Sequence, residues 1–370
     1  MMIDKLFEQQ PTPAVMMQIA EEWNKRNQEY TRILFDGPRA KVGQTPKDLV
    51  WSLNKARLYR YRATCQEGPR VPLLMVYALI NRAYILDLAP GRSLVEYLVN
   101  RGFDVYLLDW GTPGLEDREI DFGDYVCKYI PKAVRKMQRL SNSKEFSILG
   151  YCQGGTISSM YASIYPNSGL ENLILMASPI DFSYHPYYST WLRNKYFDVD
   201  RMVDTLGNIP GPMIDWGNRM LKPMQNFVSS EYALWNNSVN DRFLQNWAPM
   251  NKWLNDGPPF PGEAFRNWIK DLYQDNKLVK GELVINGHKI DLGRAKANLL
   301  AIGASEDHIA LPEQVKAAVD HFGSQDKEYF EVPAGHVALT VSSRGTKVTW
   351  PKIGDWLTER SGEMVPREVK

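Results

Sequence analysis

No apolar run in this chain approaches the roughly 20 residues needed to cross a bilayer. The opening stretch, MMIDKLFEQQPTPAVMMQIAEEW, lacks the uninterrupted apolar core of a signal peptide. Cysteine is scarce. Cys65, Cys127 and Cys152 are an odd number without metal-site or disulfide spacing, and they read as free thiols in a reducing cytoplasm. Charge of one sign is also missing: the formal net charge is +1 and there is no long basic run. Nucleic acid is therefore not expected as a partner, because phosphate binding needs a clustered positive surface. There is no phosphate-binding loop and no metal-ligand pattern, so neither a metal nor a nucleotide cofactor is expected. Internal repeats and low-complexity tracts are absent.

What is present is an ordinary globular composition, 44% hydrophobic and 24% charged, over 370 residues. That length allows one large α/β domain with an insertion, or two domains. From residue 71 strand and helix patterns alternate. VPLLMVYALI, FDVYLLDW, FSILGY, LENLILMASP, ANLLAIGAS and KEYFEVPAGH read as strands, and the first is the continuous apolar kind buried on both faces of a parallel sheet. SLVEYLVNRG reads as a helix capped by Ser93 and stopped near Gly102, and DYVCKYIPKAVRKMQRL as a helix kinked at Pro131. GGTISSMYASIYP, LPEQVKAAVDHFG and WPKIGDWLTERS are further helices. This alternation predicts a mainly parallel sheet with helices on both faces.

The rhythm breaks between residues 179 and 290. This stretch holds Trp191, Trp216, Trp235, Trp247, Trp253 and Trp268 and many prolines. It reads as an inserted cap, or lid, over the sheet's C-terminal edge, where open α/β folds bind ligands. The expected division is a helical lead-in over 1–66, a core over 67–178 and 291–370, and the cap over 179–290. In the lead-in Val15, Met16, Ile19 and Trp23 fall at helical spacing, either packed on their own domain or offered to another subunit.

The chemistry centres on LGYCQGGTI, residues 149–157. A strand running into Gly-x-nucleophile-x-Gly and then a helix is a nucleophile elbow, with Cys152 in the slot where hydrolases carry serine. The helix N-terminus favours a thiolate there. The backbone N–H of Gln153 is the expected first oxyanion-hole donor, and that of Ile80, in the loop after the first core strand, the second. Asp307 and His336, each just past a strand end, follow in the order nucleophile, acid, histidine, with Gly335 giving a tight turn. His308, beside Asp307, either lines the pocket or serves structure. His288 reads as a surface hairpin residue, His321 as a helix C-terminal one, and His185 finds no place. Cys65 and Cys127 have no basic neighbour and read as inert.

A thiol at the elbow has a thermodynamic logic. An acylated cysteine is a thioester, so loading it from another thioester is nearly balanced and passing the acyl group to an alcohol is downhill. If the alcohol belongs to a previous acyl unit, the product is a polyester. At this point GYCQGG, VYALINRAYILDLAPGRSLVEYLVNRGFDVYLLDWGTPG, SPIDFS, NKLVKGELVINGHKIDL and EDHIA resemble the polyhydroxyalkanoate synthases over roughly residues 40–358. The resemblance is to the catalytic subunit of the two-subunit type, class IV foremost and class III next. It implies an α/β-hydrolase fold, with Cys152 carrying the acyl group, His336 as base and Asp307 as its partner or as activator of the incoming 3-hydroxyl. It implies (R)-3-hydroxyacyl-CoA, short-chain 3-hydroxybutyryl-CoA foremost, as substrate, no cofactor, and a cytoplasmic location on polyester granules. It further implies a second, PhaR- or PhaE-like synthase subunit, and a homo-oligomer is expected. Arg266 and Lys270 are candidates for holding the CoA nucleotide. Two rivals stand beside this reading: a thioesterase or polyester depolymerase on the same fold, and a non-catalytic granule-surface protein.

Overall fold

A computed structural model describes residues 12–37, 40–184 and 188–369. Its main sheet has eight strands: β1 (Lys47–Leu53), β2 (Ala56–Tyr61), β3 (Leu73–Val76), β4 (Val105–Asp109), β5 (Phe146–Tyr151), β6 (Leu170–Met176), β7 (Asn298–Ala304) and β8 (Lys327–Val332). They lie in the order β1-β2-β4-β3-β5-β6-β7-β8. β1 pairs antiparallel with β2, and β2 antiparallel with β4; the remaining pairings are parallel. The parallel strands are joined by helices, as crossover connections require. All residues of β3 and β5 are buried, which matches their unbroken apolar sequences. This is the expected α/β-hydrolase core.

The core begins earlier than residue 67. The lead-in was expected to be helical, yet residues 47–61 form the antiparallel pair at the sheet's edge, turning at Asn54 with φ 52°. Edge strands with one wet face carry charged residues, and KDLVWSLNKARLYRY therefore looks like polar surface. The cap also divides. Gly217–Asn255 forms one compact unit with the N-terminal helix Pro13–Asp36, whereas the rest of the 179–290 stretch belongs to the unit Val42–Trp216 with Asp256–Lys370.

Within the smaller unit the N-terminal helix packs on the helix Ser230–Asn236. Trp23 meets Trp235 edge-on at 4.9 Å, Trp235 Nε1 donates to Asn27 Oδ1 at 2.7 Å, and Tyr30 donates to Glu231 at 2.9 Å. The helical stripe is thus partly engaged, though Val15, Met16 and Met17 stay exposed.

In the larger unit, local signals behave as their chemistry dictates. Ser93 caps the helix Leu94–Val99 by accepting from the Glu96 N–H, and Gly102 takes a φ of 85° after it. Pro131 lies in the first turn of the helix Ile130–Ser141, directly after the wide π turn Asp124–Tyr129. The helix after β5, Gln153–Ile164, has every residue buried. Its serines survive burial by bonding back one turn: Ser158 to Gly154 O, Ser159 to Gly155 O and Ser163 to Ser159 O. Trp268 completes an aromatic cluster with Phe122, Phe182 and Tyr273. Trp191 and Trp216, by contrast, are exposed.

Candidate active site

β5 ends at Tyr151, and the chain turns at once into a helix whose N-cap is Cys152. Cys152 sits at φ 54° and ψ −129°, a conformation that ordinary side chains avoid. Such strain persists only when its surroundings fix it. Here the Cys152 N–H is bonded to Met176 O at 2.9 Å, and its carbonyl accepts from Gly155 at 3.0 Å. The motif's glycines permit the turn. A Cβ on Gly150 would overlap Gly155, and one on Gly154 would overlap the Val76 carbonyl.

Asp307 and His336 follow β7 and β8 respectively and meet. His336 Nδ1 lies 2.7 Å from Asp307 Oδ2, with both residues buried. The other carboxylate oxygen, Oδ1, accepts from the backbone of Ile309 at 2.8 Å and of Ala310 at 3.0 Å. Asp307 is therefore held at both oxygens, and its geometry orients an imidazole. With Nδ1 engaged by Asp307, the other ring nitrogen of His336 is the one left to serve the Cys152 side chain, which acts on the imidazole. Burial pushes the imidazole pKa down, but the Asp307 carboxylate, then the charge on Cys152, outweigh it and hold it well above the usual range. The arrangement can draw a proton from the thiol and keep it on the imidazole while sulfur attacks a carbonyl.

Two supports were not read from the sequence. The Tyr151 hydroxyl donates to His336 O at 3.0 Å, and its ring stacks on the imidazole with centroids 5.4 Å apart. The Gln153 side chain also reaches across the site, accepting from the Leu79 N–H at 3.1 Å. The signal for both was adjacency to Cys152 on an elbow, whose neighbours must face the site's walls.

The remaining candidates separate. Gln153 starts the helix after Cys152, so its N–H is one of the helix's unpaired donors. Ile80 lies in the loop after β3, next to Leu79, whose own N–H is taken by Gln153. His308 is half-buried beside Asp307. Arg266 and Lys270 are drawn into an acidic cluster instead of standing as loose positive charges: Arg266 bonds Asp200, Asp204 and Glu263, and Lys270 bonds Asp200 at 2.6 Å. Their position one helical turn apart was legible, but the partners were not. Gly335 is not needed for a left-handed turn, since the nearest atom to an added Cβ would be 3.9 Å away and its φ is ordinary. His288 is exposed on the hairpin Val284–Lys289, as expected, and His321 is exposed at a helix end; His185 lies outside the described residues. Among the described residues no cluster of three or more His, Cys, Asp or Glu could hold a metal, and no helix is long and apolar enough to cross a membrane.

Comparison with known proteins gives a consistent result. A model of the alpha/beta hydrolase fold matches residues 71–342, and one for the N-terminus of poly-beta-hydroxybutyrate polymerase (PhaC) matches residues 25–98. A poly(3-hydroxyalkanoate) polymerase subunit PhaC from Haloferax mediterranei is 40% identical over 86% of this chain, which spans 65% of that relative's length. One of the same name from Allochromatium vinosum is 37% identical over 88% of this chain and 92% of the relative. Among solved structures, a monoglyceride lipase from Saccharomyces cerevisiae superposes with a TM-score of 0.55 at 16% identity, covering 88% of this chain and 99% of the lipase. A monoacylglycerol lipase from Paleococcus ferrophilus gives 0.51 at 16% identity, covering 82% and 99%. At such identity the lipases speak for the fold alone.

Proposed function

The chain belongs to the family of poly(3-hydroxyalkanoate) polymerase subunits called PhaC, and on that premise we propose that it polymerises (R)-3-hydroxyacyl-CoA, with 3-hydroxybutyryl-CoA as the first substrate to try. The carrying observation is a cysteine held at φ 54° on an elbow whose histidine is already paired with a buried aspartate. In the proposed cycle Cys152 sulfur attacks the thioester carbonyl as its proton passes to His336. The carbonyl oxygen is stabilised by the Gln153 and Ile80 N–H groups. The C–S bond to CoA breaks, and CoA leaves as the thiol after taking the proton back. The 3-hydroxyl of another acyl unit, deprotonated by His336, then attacks the acyl-cysteine; the C–S bond to Cys152 breaks, its sulfur leaves and takes the proton back from His336, and the chain is longer by one ester. Asp307 is assigned as the orienter of His336, a role supported by the engagement of both its oxygens. No cofactor enters this balance, because CoA is part of the substrate.

A second synthase subunit, PhaR- or PhaE-like, and a place on cytoplasmic polyester granules complete the proposal. The relatives' description as subunits supports the partner. So does a row of exposed apolar residues, Met224, Val228 and Tyr232, at helical spacing on the smaller unit. For the CoA nucleotide, Arg266 and Lys270 are weak candidates because their charges are already matched by Asp200, Asp204 and Glu263.

The test supplies 3-hydroxybutyryl-CoA and measures free CoA, free hydroxy acid and precipitated polymer separately. CoA with polymer is the expected result, and CoA with stoichiometric free acid would make the chain a thioesterase. Cys152→Ala should abolish both products, while Cys65→Ala and Cys127→Ala should keep most of the activity. Cys152→Ser should fold but polymerise at least about tenfold more slowly, because an oxygen-ester intermediate gives the transfer little driving force.

A further inference from the structure

The oxyanion site has two walls from different parts of the chain. One is the first turn of the helix Gln153–Ile164, and the other is the loop after β3, residues 77–80, which has no regular structure of its own. A donor that must meet a developing oxyanion is useful only if it is fixed before the reaction starts. Something therefore has to hold this loop against the elbow. On the outer side Trp110 Nε1 donates to Tyr77 O at 2.9 Å. On the elbow side the Gln153 Oε1 accepts from the Leu79 N–H at 3.1 Å, across 74 residues of sequence.

The amide's orientation is settled by chemistry. The facing group is a backbone N–H, which can only donate, so the side-chain oxygen must point to it. The other end of the same amide, Nε2, is buried and has no hydrogen-bond partner among the described residues. A buried amide donor left unpaired carries the full cost of its lost hydration. The bond to Leu79 is therefore what the polarity of Gln153 serves, since an apolar side chain of similar size would avoid that cost. The close approach is also prepared in the backbone. A Cβ on the next residue, Gly154, would overlap the Val76 carbonyl and crowd Tyr77.

We infer that the Gln153 side chain is a positioning residue that locks the 77–80 loop to the nucleophile elbow and so holds the two oxyanion donors at a fixed separation. One residue thus supplies the first donor through its backbone and secures the second through its side chain. The inference rests on the acyl-cysteine reading above, and it predicts an effect on acyl transfer and not on the thiol.

That distinction gives the experiment. Iodoacetamide alkylates Cys152 by displacement at a saturated carbon, with iodide leaving, and forms no oxyanion. p-Nitrophenyl acetate acylates Cys152 through a tetrahedral oxyanion: the C–S bond forms, the C–O bond breaks and p-nitrophenolate leaves, while the thiol proton goes to His336. Both rates are measured on the full chain carrying Gln153→Leu, and on Gln153→Met as the closer match in shape. Acylation is expected to fall about ten- to a hundredfold, below the 10²–10³-fold cost of deleting a donor outright. Alkylation should stay within about twofold of the parent across pH 6–9. Equal slowing of both reactions would mean a distorted elbow and would overturn the inference, as would acylation at the parental rate. The same variants are assayed with 3-hydroxybutyryl-CoA. If the parent accepts the ester but not the thioester, the polymerase reading fails while the ester still judges Gln153.

Discussion

His336 feels both Asp307 and Cys152, and their unequal pull on the imidazole is measurable. Asp307 raises its pKa more than Cys152 does. Asp307→Asn should therefore lower the His336 titration midpoint further than Cys152→Ala, as read from the imidazole proton resonances of a chain with five histidines. The same shift sets a pH dependence of stability. The folded pKa lies above the unfolded value of about 6.5. The contribution is then complete below the unfolded value and is lost as pH rises through the folded one. Asp307→Asn should lower the melting temperature more at pH 6 than at pH 10, and a loss independent of pH would count against the ion pair. The sequence placed Cys152, Asp307 and His336 at strand ends, and the structure brings the three together. Adjacency to Cys152 marked Tyr151 and Gln153 as wall residues, but what their side chains touch could not be read, because a contact from an elbow to His336 or Leu79 depends on how the strands are stacked.

At the scale of the element, the elbow depends on how closely its helix approaches β3. Gly154→Ala sets a methyl against the Val76 carbonyl, a backbone atom that cannot swing aside. The expected cost is about 1–3 kcal/mol, with a fall in melting temperature and in CoA release. Gly335→Ala is the matched control, since its methyl has room. It should melt within about 1 °C of the parent, given that a change of 1 kcal/mol moves a large domain by roughly 2–4 °C. The parallel strands and their helices were legible because burial on both faces leaves continuous apolar runs. The antiparallel pair β1–β2 was not, because its wet face interleaves charges that read as loop.

For the whole molecule the open matter is what completes its activity. The chain is expected to release CoA slowly alone and at least about tenfold faster with a second synthase subunit. Purified chain assayed with and without lysate of a polyester-producing cell of the same source tests this. Equal specific activity and no lag in either case would remove the partner requirement. Deleting residues 1–30 removes Trp23, Arg26, Asn27 and Tyr30, which bind the helix Ser230–Asn236, so the smaller unit should lose stability as well. Trp23→Ala alone, which keeps the polar bonds, is the milder variant: a partner that still activates fully would show that docking does not need this aromatic contact.

The sequence by itself determined the class of fold, the parallel order of elements and the strand-end positions of Cys152, Asp307 and His336, which are proposed as the acid–base–thiol set. Those follow from local rules: apolar runs mark buried strands, and an elbow has a fixed spacing. Only the tertiary structure decided what pairs with what at long range. The carboxylate of Asp307 is held by its own loop as well as by His336, the charges of Arg266 and Lys270 are matched by Asp200, and the Leu79 N–H is claimed by Gln153. A hydrogen bond or ion pair depends on distances of about 3 Å, and residues separated by dozens of positions reach such distances only when the sheet order has set where each loop emerges.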